Sequence, residues 1–248
     1  MTKVIITSTY PRHLTYVSEI LKNNNVSHIF FEKKPQSDYE FSTAEIEYFG
    51  DIKFNEFVSS LSVPYTIVEH KKINTKKIKK ALKKINPYVI LTFGCGLLEK
   101  KIIKTAELGI INIHTGLVQK HRGVDSCYWA IYCDHPEAIG CTLHFINKGI
   151  DSGHVLAQKR TSDLESGDNI YSVFMKTCNT GINLLCNNLY NIETKNLCGK
   201  VLKNKGKLFM SKHMDNKTFN TIRIMCPNTI TRYLQYKNEY DSRTPLIC

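Results

Sequence analysis

Asn112, His114 and Asp151 bring an amide, an imidazole and a carboxylate to this chain at positions where they could act together. The first two sit in a β-branched run, Ile110-Ile111-Asn112-Ile113-His114, that reads as a buried strand. Side-chain alternation places both on one face, at the C-terminal end of that strand. Ligands bind at that end in open α/β sheets. Asp151 lies in Gly149-Ile150-Asp151-Ser152-Gly153, a turn whose small residues admit a ligand or a second strand at close range. Converging there, the three groups could move an acyl group.

Three stretches extend this reading. They are Asn112-Ile113-His114 with Gly116-Leu117 and then His121-Arg122-Gly123; Gly149-Ile150-Asp151-Ser152-Gly153; and Leu91-Thr92-Phe93-Gly94-Cys95-Gly96-Leu97-Leu98. In order and spacing the chain resembles the 10-formyltetrahydrofolate-dependent formyltransferase family over roughly residues 85 to 190, with a looser match upstream. The resemblance implies 10-formyltetrahydrofolate as formyl donor and brings the three polar residues into contact. Asn112 would then donate an N–H to the oxyanion, a donor worth roughly 2.7–4 kcal/mol in comparable holes. His114 would accept the amine proton or donate to the oxyanion, and Asp151 would orient it and raise its pKa.

The same resemblance makes Phe93, Gly94, Cys95, Gly96, Leu97 and Leu98 the folate-side loop. Its two glycines would bare backbone to the pterin, and its apolar side chains would wall it. Cys95 reads as a buried thiol rather than a reactive one. Arg122 and Gly123 occupy the family's Arg-Gly position; the glycine permits an unusual turn, and Arg122 either contacts substrate or ties the loop to an oxygen. Gln119 departs from the pattern, standing where many family members have proline.

Family members formylate methionyl-tRNA, glycinamide ribonucleotide or nucleotide-linked amino sugars, and a hydrolase branch uses water. The stretch after residue 190 is short for a barrel-like tRNA-binding domain. No glycine-rich phosphate loop follows the first strand, which leads into Thr7-Ser8-Thr9-Tyr10-Pro11-Arg12-His13. No regulatory domain fits before Val4. The expectation is therefore a sugar N-formyltransferase acting on a dTDP-linked amino-dideoxyhexose, with UDP-linked sugars second, for surface-glycan synthesis. A diphosphate needs cationic and N–H partners, and Arg12, His13 and Lys148 are the candidates. The resemblance also implies a homodimer, formed through strand edges of the C-terminal segment.

The elements that must position these residues alternate. Strands are expected at Val4–Thr7, Ser27–Glu32, Pro64–Glu69, Tyr88–Phe93 and up to His114, with helices over Arg12–Leu21, 71–86 and Leu98–Thr105. That order predicts an α/β, Rossmann-like, mostly parallel sheet. Residues 33–60 give no clear pattern. Beyond His114, Ile139–Asn147 and His154–Thr161 read as a hairpin around the Asp151 turn. A long helix follows over 168–190, capped by Ser166 or Asp168, with Trp129 filling the core. A catalytic domain over 1–192 and a small β-rich extension over 193–248 complete the expected organisation.

The formal charge of +12 admits a nucleic-acid binder, since 34 Lys and Arg oppose 22 Asp and Glu. The most basic stretch argues otherwise. Ile78, Ala81, Leu82 and Ile85 recur at helical spacing there, so its lysines form a solvated outer face. No aromatic residues alternate with them as a single-strand binder requires. No nucleic-acid partner is expected; the alternatives are formyl transfer to another amine (methionyl-tRNA, glycinamide ribonucleotide or a UDP-amino sugar) and a non-enzymatic basic nucleic-acid-binding protein. Nine scattered cysteines without Cys-x-x-Cys pairing suit a reducing cytosol. No apolar run reaches membrane-span length, and no histidine pairs with Cys or carboxylate at metal-ligand spacing.

Overall fold

A computed structural model describes residues 1–35 and 38–247. Its first half alternates as the sequence predicts. Strand β1 (Lys3–Ser8) leads to helix α1 (Pro11–Asn23), β2 (His28–Glu32), α2 (Tyr39–Phe49), α3 (Phe54–Ser59) and β3 (Tyr65–Val68). Then come α4 (Lys76–Ile85), β4 (Val89–Phe93), α5 (Lys100–Ile103) and β5 (Gly109–His114). The unclear stretch after residue 33 thus holds two helices; Asp38 caps the first by accepting the Phe41 N–H at 2.9 Å. Thr75 caps α4, and Asn86 ends it in the left-handed conformation just before Pro87.

After β5 the connections shorten. They run through β6 (His121–Gly123), α6 (Ser126–Tyr132), β7 (Gly140–Phe145), β8 (Val155–Arg160) and α7 (Ile170–Glu193). Asn169 caps α7 through the N–H groups of Tyr171 and Ser172, one residue beyond the expected Asp168. Asp168 instead receives the Ser172 hydroxyl and the Lys176 ammonium.

Seven strands form one sheet in the order β3-β2-β1-β4-β5-β7-β8. Pairings from β3 to β5 are parallel, while β5–β7 and β7–β8 are antiparallel. One face packs Ile5, Leu91, Ile111 and Leu143 against Leu14 and Val17 of α1 and Ile182 and Leu185 of α7. The other packs Val4, Ile90 and Ile110 against Ile78 and Leu82 of α4 and Ile102 of α5. Burial on both faces explains why these strands read as continuous apolar runs.

The C-terminal segment differs from its expected β-rich form. Among its described residues only β9 (Lys207–Phe209) is a strand, paired in parallel with β6; α8 (Asn216–Gln235) and α9 (Lys237–Ser242) make up much of the rest. Thr, Ile and Tyr favour strands by propensity, but their spacing decides the outcome. Ile222, Cys226, Ile230 and Tyr233 recur every three or four residues and bury one stripe, and Asp215 caps the helix on the Thr218 N–H at 2.7 Å. That stripe shares a cluster with Leu117, Tyr128 and Ile131 around α6. Trp129 is buried and stacks on Phe209 at 4.0 Å between ring centroids. Among the described residues no helix is long and apolar enough to cross a membrane.

Candidate active site

The switch from parallel to antiparallel pairing builds the polar centre. In the β5–β7 register Asn112 stands opposite His144, so these side chains share a face. The connection from β7 to β8 folds back over that face, and Asp151, at φ +43, drops its carboxylate between two imidazoles. Asp151 Oδ2 lies 3.3 Å from His114 Nδ1, and its Oδ1 lies 3.3 Å from His144 Nε2. His144 Nε2 is also 3.3 Å from Asn112 Nδ2. The three residues singled out by sequence are thereby joined, through a fourth, in the order Asn112–His144–Asp151–His114.

Protonation follows from the acceptors each ring faces. His114 Nε2 is 3.1 Å from the His121 carbonyl, so both of its nitrogens point at oxygens. Burial pulls its pKa down, but the Asp151 charge, their hydrogen bond and the His121 carbonyl together outweigh it and raise it above the ordinary 6.5. Burial pulls Asp151 up; the His114 charge and the bonds from both rings win, holding its carboxyl well below the usual carboxylate range. His144 donates from Nδ1 to the Phe145 carbonyl at 3.0 Å. Its Nε2 faces both the Asn112 amide and the Asp151 carboxylate. Thr92 reaches the other side of the Asn112 amide, with its hydroxyl 3.0 Å from Oδ1, and so turns the N–H₂ toward His144 and the cleft.

The loop after β5 braces the carboxylate. Gly123 donates its N–H to Asp151 Oδ2 at 2.8 Å. It does so at φ +93, and a Cβ there would lie 1.9 Å from the Phe209 carbonyl oxygen, so no other residue fits. Arg122 ties the loop, donating to the Gly206 carbonyl through Nε and to the Ile150 carbonyl through a terminal nitrogen, each at 2.9 Å. Of its two expected roles the guanidinium is thus engaged in the bracing one.

These groups open on a cleft of about 840 Å³ whose facing wall is the loop from Phe93 to Leu98. Glu32, fully buried at the end of β2, holds that loop by accepting the Gly96 N–H at 2.7 Å. The same carboxylate takes the Lys71 N–H at 3.0 Å and pairs with Lys34 at 2.6 Å. Gly94 has φ +70, and a Cβ on it would strike the His13 ring at 2.1 Å. The Cys95 thiol is pushed up to about 12, chiefly by burial and then by Glu32, which leaves it protonated and inert at neutral pH.

Arg12, His13 and Lys148 all line the cleft, with unequal freedom. The Arg12 guanidinium bonds Glu45 at 2.5 Å and lies against the rings of Tyr10, Phe41 and Phe174. His13 hydrogen-bonds Ser8 through Nδ1 and is held neutral by burial, then by the nearby Arg12 and Lys34 charges. Lys148 is exposed at the mouth. Sequence reasoning passed over His144, Thr92 and Glu32 as parts of this site. His144 could be found only by knowing the antiparallel register.

The geometry agrees with comparisons to known proteins. The sequence pattern of the formyl transferase family matches residues 4–186. A methionyl-tRNA formyltransferase from Kosmotoga olearia is 32% identical over 120 residues, 48% of this chain and 38% of that one. This chain's matches span less than half the length of the first curated relatives, 38–43% of them. Among solved structures, a sugar N-formyltransferase from Shewanella superposes with a TM-score of 0.62 at 18% identity, covering 86% of this chain and 78% of that one. An N-formyltransferase from Helicobacter canadensis, solved with folinic acid and dTDP-3-aminofucose, gives 0.64 at 16% identity, covering 87% and 73%. Such identities establish a shared fold. With the family pattern matching most of its length, the chain belongs to the formyl transferase family.

Proposed function

We propose that this protein transfers a formyl group from 10-formyltetrahydrofolate to the amine of a nucleotide-linked amino sugar. The observation that carries formyl transfer is the chain Asn112–His144–Asp151–His114 set across a cleft from a loop of bare backbone and apolar side chains. The cleft suits a reduced pterin: Phe93, Leu97, Leu98 and Ile103 supply apolar wall, and Gly94 and Gly96 leave backbone accessible. The folate supplies the activated formyl group. Asn112 donates its amide N–H toward the formyl oxygen, where negative charge develops. Asp151 raises the pKa of His114 and orients it, so the ring can accept the proton of the attacking amine and, once charged, face the developing oxyanion. It then passes that proton to the departing nitrogen, leaving no net change.

The sugar acceptor is supported by several structural neighbours, three of which carry a nucleotide or nucleotide sugar in their solved complexes. Assembly as a homodimer and a place in surface-glycan synthesis belong to the same proposal by family likeness. A second reading, methionyl-tRNA as acceptor, is favoured by the curated sequence relatives and suits the charge of +12. Mass spectrometry after incubation with 10-formyltetrahydrofolate and a panel of dTDP-amino sugars, UDP-amino sugars and methionyl-tRNA separates them. A formyl group gained by a sugar nucleotide alone is the expected result; one gained by methionyl-tRNA alone overturns the sugar assignment.

A further inference from the structure

The catalytic rim of the cleft carries a second carboxylate, which forms no side-chain hydrogen bond or ion pair among the described residues. Asp125 follows Gly123 by two residues and precedes α6 with φ +58. It lines the cleft together with Asn112, His114 and Asp151. An aspartate just before a helix ordinarily turns its carboxylate onto the first free N–H groups. Here the side chain makes no such bond; only the Asp125 carbonyl is used, by Tyr128 and Trp129 N–H groups at 2.9 and 3.1 Å.

The other carboxylates lining the cleft are engaged. Asp151 has Gly123 and two imidazoles, and Glu99 pairs with Lys101 at 2.7 Å. Arg12 acts on Asp125 only through its charge, since its guanidinium is bonded to Glu45. Burial, opposed by that charge, pushes the Asp125 carboxyl up to about 6. A group in that state is still ionised at neutral pH and gains most from a cationic ligand that brings its own hydrogen-bond donors.

We propose that Asp125 binds the ammonium group of the acceptor, selecting amine-bearing molecules and holding that nitrogen in the catalytic cleft. The inference rests on the acceptor being an amine, as in the function proposed above. Primary amines of ordinary pKa are largely protonated at neutral pH, so the site meets them chiefly as cations, which give one proton to solvent before the neutral amine attacks. Asp125 accepts a hydrogen bond from that cation. Asp151, already facing two rings and a backbone N–H, has less acceptor capacity left for it.

Two probes of equal size test this: dTDP-4-amino-4,6-dideoxyglucose and its 4-hydroxy counterpart. Their affinities for wild-type protein and for Asp125→Asn are measured by calorimetry, and acceptor and donor KM are measured by turnover. The variant should lose roughly 10–100-fold in affinity for the amine probe, the worth of one charge-assisted hydrogen bond. Binding of the hydroxy probe and the donor KM should stay unchanged. Equal loss for both probes would mark Asp125 as structural and overturn the inference, as would unchanged acceptor KM. Formylation of the amine probe by wild-type protein tests the underlying function separately: product formed with an unaffected variant overturns this inference alone.

Discussion

On one side of the cleft side chains hold side chains: two imidazoles, an amide and a carboxylate close on one another within 3.3 Å. On the facing side one buried carboxylate, Glu32, holds backbone, and the loop it anchors leaves Leu97 70% exposed. The first wall is fixed by charge and is nearly closed to water, with His114 5% and His144 2% exposed. The second is held through its backbone, at the Phe93 and Leu97 carbonyls and the Gly96 N–H, and leaves apolar side chains to lie against a ligand. A transition state needs preorganised dipoles, whereas a flat heterocycle needs contact area; the two walls divide that labour.

Replacing Asp151 by Asn should affect the first wall most. It removes one partner of a buried ion pair, at a cost on the order of 3 kcal/mol. The sign with pH follows from both shifts. His114, raised above 6.5, contributes stability fully below its unfolded value and loses it as pH rises through its folded one. Asp151, lowered from 3.8, contributes above that value and loses it as pH falls. Denaturant unfolding should therefore show the largest gap between wild type and Asp151→Asn between about pH 4 and 6.5. A gap independent of pH would contradict the ion pair.

The second wall should respond more mildly and in a different quantity. Glu32→Gln keeps the shape but weakens the charge-assisted bond to Gly96 and the pair with Lys34. Donor KM should rise roughly 10-fold with kcat little changed, since one such bond is worth about 1.5–3 kcal/mol and part of it survives. A fall in kcat at constant donor KM would erase the distinction between the walls.

How far the sequence revealed this arrangement depends on the range of each contact. Asn112 and His114 share a face because they are two residues apart on one strand, and their glycine-flanked partner Asp151 stands out locally. The parallel half was legible for the same reason, its buried strands and amphipathic α4 being continuous signals. His144 was not, because its place beside Asn112 depends on a register set by antiparallel pairing across 32 residues. Glu32 reaches Gly96 across 64 residues, and nothing near it in sequence marks the contact. The C-terminal segment was misread where residue propensity pointed to strand while the spacing of Ile222, Cys226, Ile230 and Tyr233 pointed to helix.

The most direct measurement is single-turnover formyl transfer from 10-formyltetrahydrofolate by wild-type protein and by His114→Ala, with circular dichroism confirming that both are folded. The account expects wild-type protein to formylate an amine acceptor and the variant to do so ~10²–10⁴-fold more slowly. A folded variant that transfers the formyl group at the wild-type rate would contradict it.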